Sequence, residues 1–219
     1  MSYVAVVFDM DGVLIDSEPV IRAAAQLAAN EIGLTVSDRF YASVIGLPGV
    51  QVEAAFMTEF GLDFPLADYR QRFERCYRHE VGHRRLQPKP GVPALLDTLI
   101  ACEIPIAVAT STRSGNAQTA LAAAGLLDRL AVCVTGDQVR EGKPAPEIFL
   151  LAAKRLGIPP KKCIAVEDSE VGARAAVAAG MYTLLVPDLK PPSVALAQWV
   201  AEVVPSMPAA AERLLALLS

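Results

Sequence analysis

Apolar residues in this chain come in two rhythms. Short apolar runs occur at Val4–Phe8, Ile104–Ala109, Leu130–Val134 and Cys163–Val166, and a further strand is expected at Tyr182–Val186. Runs of this length suit strands buried on both faces. Between them lie helical patterns at about 92–102, 115–124, 146–156 and 169–180, several of them closed by glycine at 125, 157 and 180. Strands alternating with helices predict right-handed crossovers and a parallel sheet covered on both sides. The stretch from Ile15 to Pro88 breaks this alternation. It begins with Asp16 or Ser17 as a cap and Pro19 in the first turn of a helix that Gly33 stops. Helical patterns then continue without a convincing strand, interrupted at Gly46–Gly49 and again at Gly61–Pro65. A long amphipathic helix is expected over 66–85, and Lys89-Pro90-Gly91 reads as a turn and hinge. The predicted architecture is α/β: a Rossmann-like parallel sheet core, 1–14 with 89–219, and an inserted all-helical domain, 15–88. The loop 187–192 and the Ala/Leu-rich helix after Pro208 carry no chemistry, and packing is their expected role.

Polar residues gather where the predicted strands end. The first runs into Asp9-Met10-Asp11-Gly12, and the second ends at Thr110-Ser111-Thr112. Gly142-Lys143-Pro144 follows the third, and the fourth ends at Glu167-Asp168-Ser169. Taken singly, each has a structural reading. Asp9 and Asp11 would be a turn closed by Gly12, and Thr110 to Thr112 a helix cap. Lys143 would be a solvated loop lysine, and Glu167 and Asp168 complements to a helix dipole. A parallel sheet delivers all four segments to one edge, where open α/β sheets bind ligands. Their joint placement points instead to phosphoryl transfer. Asp9, Asp11 and Asp168 are the hard oxygen ligands that Mg²⁺ takes. Thr110 and the amides after it suit phosphate oxygens at a helix start, and Lys143 supplies a point charge. One acid can attack phosphorus while another moves protons.

At these residues the chain resembles the haloacid dehalogenase superfamily, specifically its phosphatase branch with a helical cap. The signatures are Asp9-Met10-Asp11-Gly12-Val13, Thr110, Gly142-Lys143-Pro144-Ala145-Pro146 and Glu167-Asp168-Ser169. The resemblance implies Asp9 as nucleophile and Asp11 as general acid/base. It implies Thr110, Ser111 and Lys143 around the phosphoryl group. It places Mg²⁺ on Asp9, Asp168 and Glu167, with the backbone carbonyl of Asp11. The helical insertion would be the cap that closes over substrate. Relatives that dehalogenate lack an acid at the position of Asp11, so that activity is disfavoured. Relatives that cleave phosphonates use a cap lysine, and 15–88 contains none. The competing reading is a sugar-phosphate mutase resembling β-phosphoglucomutase. Such mutases carry basic groups near the Gly46 turn and a histidine near Ile21, and this chain has neither. A phosphatase of a small phosphorylated metabolite, such as a sugar phosphate, is therefore expected. A catalytically silent binding module is the remote alternative.

The predicted long helix bears Arg72, Arg75 and His79 at helical spacing. The plain reading is a solvated stripe paired with acids. The sharper one has Arg72 and Arg75 reach an anionic group of the substrate. His79 and His83 stand four apart but lack the glutamate pattern of a zinc helix.

Composition narrows the rest. Of 219 residues, 53% are hydrophobic and 20% charged, which suits a core-rich globular chain. Net charge of -4 and a pI of about 5.3 argue against a nucleic-acid partner. No apolar run approaches the ~20 residues that span a membrane. The amino terminus shows no secretory pattern, so a cytoplasmic protein is expected, as a monomer or weak homodimer. Cys76, Cys102, Cys133 and Cys163 form no C-x-x-C pair and are expected to be reduced and mostly buried.

Overall fold

A computed structural model describes residues 2–45, 47, 49–83 and 86–218. It divides the chain into two compact units, 1–16 with 87–219 and 17–86. The first is built on six parallel strands: β1 (Ala5–Phe8), β2 (Ile106–Thr110), β3 (Val132–Thr135), β4 (Cys163–Glu167), β5 (Tyr182–Leu185) and β6 (Glu202–Val203). Their order in the sheet is β3-β2-β1-β4-β5-β6. β1, the first strand in sequence, is thus central, with Val7 opposite Ala107 of β2 and Ala165 of β4. All of β1, β2 and β4 is buried, as their unbroken apolar runs require. The second strand starts two residues later than Ile104. Pro105 has no N–H for a ladder, though its carbonyl accepts from Val6 N at 3.0 Å.

Helices of this unit include α5 (Val92–Ala101), α6 (Ser114–Ala123), α7 (Glu147–Leu156) and α8 (Glu170–Ala178). Small residues dominate one packing layer. Ala107, Ala109 and Ala165 of the sheet meet Ala152 and Ala153 of α7 and Ala175 and Ala176 of α8. Short side chains here bring helix backbones close to the strands, and close-packed interiors tolerate little change in that spacing. Ser169 caps α8 through its hydroxyl, which accepts from Gly172 N at 3.1 Å. Helix α9 (Val194–Trp199) and edge strand β6 were not read from the sequence; the first is six residues and the second two. A terminal helix, α10 (Met207–Leu218), closes the unit.

The second unit is all helical: α1 (Glu18–Asn30), α2 (Asp38–Val44), α3 (Gly49–Phe60) and α4 (Leu66–His83). Of the expected break at 46–49, Gly46 and Pro48 lie outside the described residues, as do Arg84 and Arg85 at the end of the predicted long helix. Ser17 occupies the N-cap of α1 with helical backbone angles and makes no side-chain cap bond, whereas Ser37 caps α2 by accepting from Phe40 N. Helix α1 packs along α4. The interior holds a run of touching rings, Phe40, Phe56, Phe60, Phe64, Tyr69, Phe73 and Tyr77, with successive centroids 4.9 to 6.4 Å apart. Within the first unit the two passes of the chain, before residue 17 and after residue 86, pair with each other. Lys89 N donates to Leu14 O at 2.9 Å, Asp16 N donates to Gln87 O at 3.0 Å, and Ile15 bridges Pro88 antiparallel.

Candidate active site

The sheet order reverses between β1 and β4, the place where open α/β sheets hold ligands. Asp9 follows β1 directly, and its N–H donates to Val166 O of β4 at 2.9 Å. Glu167 is the last residue of β4 and has no exposed surface. Lys143 arrives on the loop before α7, where the Lys143–Pro144 peptide is cis. Its ammonium donates to Asp9 Oδ1 and to Glu167 Oε1, both at 2.5 Å, with only 6% of the side chain exposed. The ring of Phe149 lies 5.1 Å from the same nitrogen. Carboxylate oxygens of Asp9, Glu167 and Asp168 lie within 4.8 Å of one another.

The second oxygen of Glu167 accepts three further bonds, from Asp168 N, Ser169 N and Ser169 Oγ at 3.1, 3.2 and 3.0 Å. Two glycines make room for these acids. A Cβ on Gly172 would stand 1.8 Å from Glu167 Oε1, and one on Gly12 would stand 2.2 Å from Asp168 Oδ2. Gly12 also has φ +82°, a left-handed conformation that favours glycine.

Burial pushes the Asp9 carboxyl up to about 7; the charges of Glu167 and Asp11 add to the rise and Lys143 opposes it. Asp168 is raised well above the usual carboxylate range by burial first, then by Glu167 and Asp9. Burial alone would lower Lys143, but Asp9 and Glu167 outweigh it and hold the ammonium protonated. The cluster is a set of competing buried charges with one internal cation.

Asp11 faces a different group. Its Oδ2 accepts from Thr112 Oγ1 at 2.7 Å and lies 3.5 Å from Thr110 Oγ1, while Thr112 N donates back to Thr110 Oγ1 at 3.1 Å. Thr110 is buried and Ser111 exposed. Two of the amides expected to be open to phosphate are committed within the protein: that of Thr112 to Thr110, and that of Ser114, at the start of α6, to Asp137 Oδ1 at 3.0 Å. Glu147 performs the same service on the lysine loop, its Oε2 accepting from Arg140 N at 3.1 Å and Glu141 N at 3.0 Å.

The structure thus brings Asp9, Lys143, Glu167 and Asp168 into one cluster and links Thr110 to Asp11. Arg72 and Arg75 belong to the helical unit. Both guanidiniums converge on Glu31, and Arg72 also binds Asp68 at 3.0 Å. His79 and His83 stack with centroids 4.0 Å apart. The sequence reading missed the bonding of Thr112 to Asp11, the room made by Gly172, and the capping by Asp137 and Glu147. For Glu147 a signal existed, an acid in the first turn of a helix. For Gly172 none did, because the contact runs from a helix to a strand end.

All four cysteines are free thiols; Cys76 and Cys163 are buried, but Cys102 is exposed and Cys133 half-buried, so burial is less general than expected. Among the described residues no helix is long and apolar enough to cross a membrane.

Comparison with known proteins places this arrangement. Residues 3–180 match the family model of haloacid dehalogenase-like hydrolases. The chain belongs to that family, and it is an enzyme of the phosphoric monoester hydrolase class within it. It is 34% identical over 177 residues to the phosphorylated carbohydrates phosphatase of Thermotoga maritima, covering 81% of this chain and 82% of that protein. To the fructose-1-phosphate phosphatase YqaB of Escherichia coli it is 33% identical over 183 residues, covering 82% and 94%. Among solved structures it is similar to a Thermotoga maritima protein provisionally assigned as a β-phosphoglucomutase. That match has a TM-score of 0.79 at 30% identity and covers 98% of this chain and 99% of the other.

Proposed function

We propose that this chain is a Mg²⁺-dependent phosphatase of small phosphorylated metabolites, with sugar phosphates the favoured class, working through an aspartyl-phosphate on Asp9. The observation that carries the reading is the buried Lys143 ammonium held between Asp9 and Glu167, with Asp168 beside them, at the reversal point of the sheet. The names of the relatives, a phosphorylated carbohydrates phosphatase and a fructose-1-phosphate phosphatase, support the substrate class.

The donor set fits the metal: three carboxylates, all hard oxygen donors, within reach of one another. Asp9, Asp168 and Glu167 would hold Mg²⁺ together with the carbonyl of Asp11, and the ion would neutralise phosphate charge there. The residues themselves account for the rest. An oxygen of Asp9 attacks phosphorus of the monoester as the bond from phosphorus to the leaving oxygen breaks. Asp11 gives that oxygen its proton, so the alcohol departs neutral. Water then attacks the acyl phosphate, Asp11 takes its proton, and inorganic phosphate leaves Asp9 free. Thr112 holds the Asp11 carboxylate by its hydroxyl. Thr110, Ser111 and Lys143 bind the phosphoryl oxygens, Lys143 as a fixed positive charge.

The helical insertion, 15–88 by the sequence reading, serves as the cap that selects substrate. For Arg72 and Arg75 to take part, they must exchange Glu31 for an anionic group of the substrate. Unchanged substrate KM after alanine replacement of both would remove them from the reading.

Purified protein should release phosphate from an aryl phosphate with Mg²⁺, and Asp9→Asn should abolish that release. Full turnover by that variant would overturn the nucleophile assignment. The mutase alternative retains support from the structural similarity to the protein assigned as a β-phosphoglucomutase. It predicts interconversion of hexose 1- and 6-phosphates, whereas a phosphatase yields only free sugar and phosphate.

A further inference from the structure

Asp137 lies outside the acid–lysine cluster, in the tight turn Gly136–Gln138 that follows β3. The register of the sheet sets the end of β3 beside the end of β2, with Thr135 opposite Thr110. From there the turn holds the segment after β2 at several points. Asp137 accepts from Ser114 N at 3.0 Å and from Ser114 Oγ at 2.9 Å. It also accepts from Thr135 Oγ1 at 2.6 Å, and the Ser114 and Thr135 hydroxyls are 2.8 Å apart. Gly136 N donates to Thr112 O at 3.2 Å. The Ser111 carbonyl sits so close to Gly136 that a Cβ there would stand 2.3 Å from its oxygen. Ser111, Thr112 and Ser114 are therefore all held by residues 135–137.

Helix α6 has no cap of its own. Arg113 stands at the N-cap and makes no side-chain cap bond, so Asp137 supplies the cap from another element. The hydrogen bonds from Thr135 and Ser114 hold the Asp137 carboxyl well below its ordinary range, at about 2. Thr112, inside the held segment, donates its hydroxyl to Asp11. A defect at Asp137 thus propagates to the phosphate loop and to the proposed acid/base through the backbone of residues 111–114.

We propose that Asp137 is a positioning residue for phosphoryl binding, fixing the Thr110–Ser114 segment through Ser114 and Thr135. This rests on the phosphatase reading for its kinetic consequence and on geometry alone for its structural one. The test compares Asp137→Ala, Asp137→Asn and wild type by amide hydrogen exchange and by inhibition with inorganic phosphate. In the alanine variant, exchange at residues 112–115 accelerates. Its Ki for phosphate and its KM rise together by about tenfold, as expected for a misplaced binding group. Asparagine keeps an acceptor oxygen for Ser114 N and restores Ki to within about twofold. A cap that only stabilises α6 would leave phosphate Ki unchanged in the folded alanine variant, and that result overturns the proposal; so does an asparagine variant no better than alanine. If the alanine variant does not fold, Ser114→Ala combined with Thr135→Val takes its place and should raise Ki in the same direction, with an unchanged Ki again overturning the proposal. Wild type that neither turns over phosphate esters nor binds phosphate would refute the phosphatase reading, and exchange at 112–115 would still decide the structural claim.

Discussion

Gly172→Ala should destabilise this protein and impair its chemistry, although the same change in most helices does the opposite. Gly172 lies in the first turn of α8, without a positive φ, so alanine meets no backbone penalty and would gain up to ~1 kcal/mol of helix propensity. The obstacle is Glu167, whose Oε1, Cδ and Oε2 would lie 1.8, 2.0 and 2.3 Å from the new Cβ. None of these distances is tolerable, and Glu167 is fully buried, so its carboxylate must leave its place. Overpacking of this kind costs ~1–3 kcal/mol, and losing a hydrogen bond to a charged group costs ~1.5–3 kcal/mol. Set against the propensity gain, a net loss of about 2 kcal/mol is a conservative expectation. At this chain length that lowers Tm by about 4–8 °C. Displacing Glu167 also frees one arm of the Lys143 ammonium, so Mg²⁺-dependent phosphate release should fall at least about tenfold. Differential scanning calorimetry and a phosphate-release assay on one preparation measure both. A Tm equal to or above that of wild type, with activity intact, would refute the reasoning.

Gly12→Ala faces a clash with Asp168 and a left-handed backbone together, so it should weaken Mg²⁺ activation more than it lowers Tm; an unchanged Mg²⁺ titration would count against the crowding argument. Asp137 has a depressed folded-state pKa, so the stability it contributes is present in full above the ordinary carboxylate value and is lost as pH falls toward about 2. Urea denaturation of wild type and Asp137→Ala should therefore show a stability gap at pH 6 that closes on acidification through that window; a constant gap would contradict it. Phe56→Ala, at the centre of the helical unit's ring cluster and only 2% exposed, should cost ~3–5 kcal/mol by denaturant titration, and a loss below ~1 kcal/mol would mean the cluster collapses around the gap.

What could be read from the chain alone follows from how local each signal is. An unbroken run such as Val4–Phe8 forces a two-sided burial that only a covered sheet provides, so the central strands and their polar ends were legible. Asp9, Thr110, Lys143 and Glu167 each follow such a run, and parallel topology alone brings them to one edge. β6 was not legible because two residues, Glu202 and Val203, carry no period. Ladder bonds to β5 define it, including Val204 N to Leu185 O at 2.8 Å. Gly172 reads as an unremarkable helix residue until Glu167 is set against it, and Asp137 reads as a solvated turn acid until Ser114 is set beside it. Arg72 and Arg75 show the converse. Their helical spacing was legible, but their convergence on Glu31 joins α4 to α1 across some forty residues of sequence.

Lys143 makes the strongest case for reading the cluster as a whole. Between Gly142 and Pro144 it looks like a solvated loop lysine, yet it is almost wholly buried against two acids. Removing one partner of a buried pair leaves an uncompensated charge, so the three groups stand or fall together. Compensation is still incomplete: three carboxylates share one internal ammonium, which leaves two negative charges when all the acids are ionised. Burial first, and that deficit second, raise the pKa values of Asp9 and Asp168 and give the cluster its affinity for protons. A site that draws positive charge this strongly, through hard oxygen atoms, next to a lysine fixed by its neighbours, is built to take either protons or a divalent cation. On the proposed mechanism a bound cation would leave Asp9 ionised to attack phosphorus, so metal binding and nucleophile activation in this cluster would be one electrostatic problem with one solution.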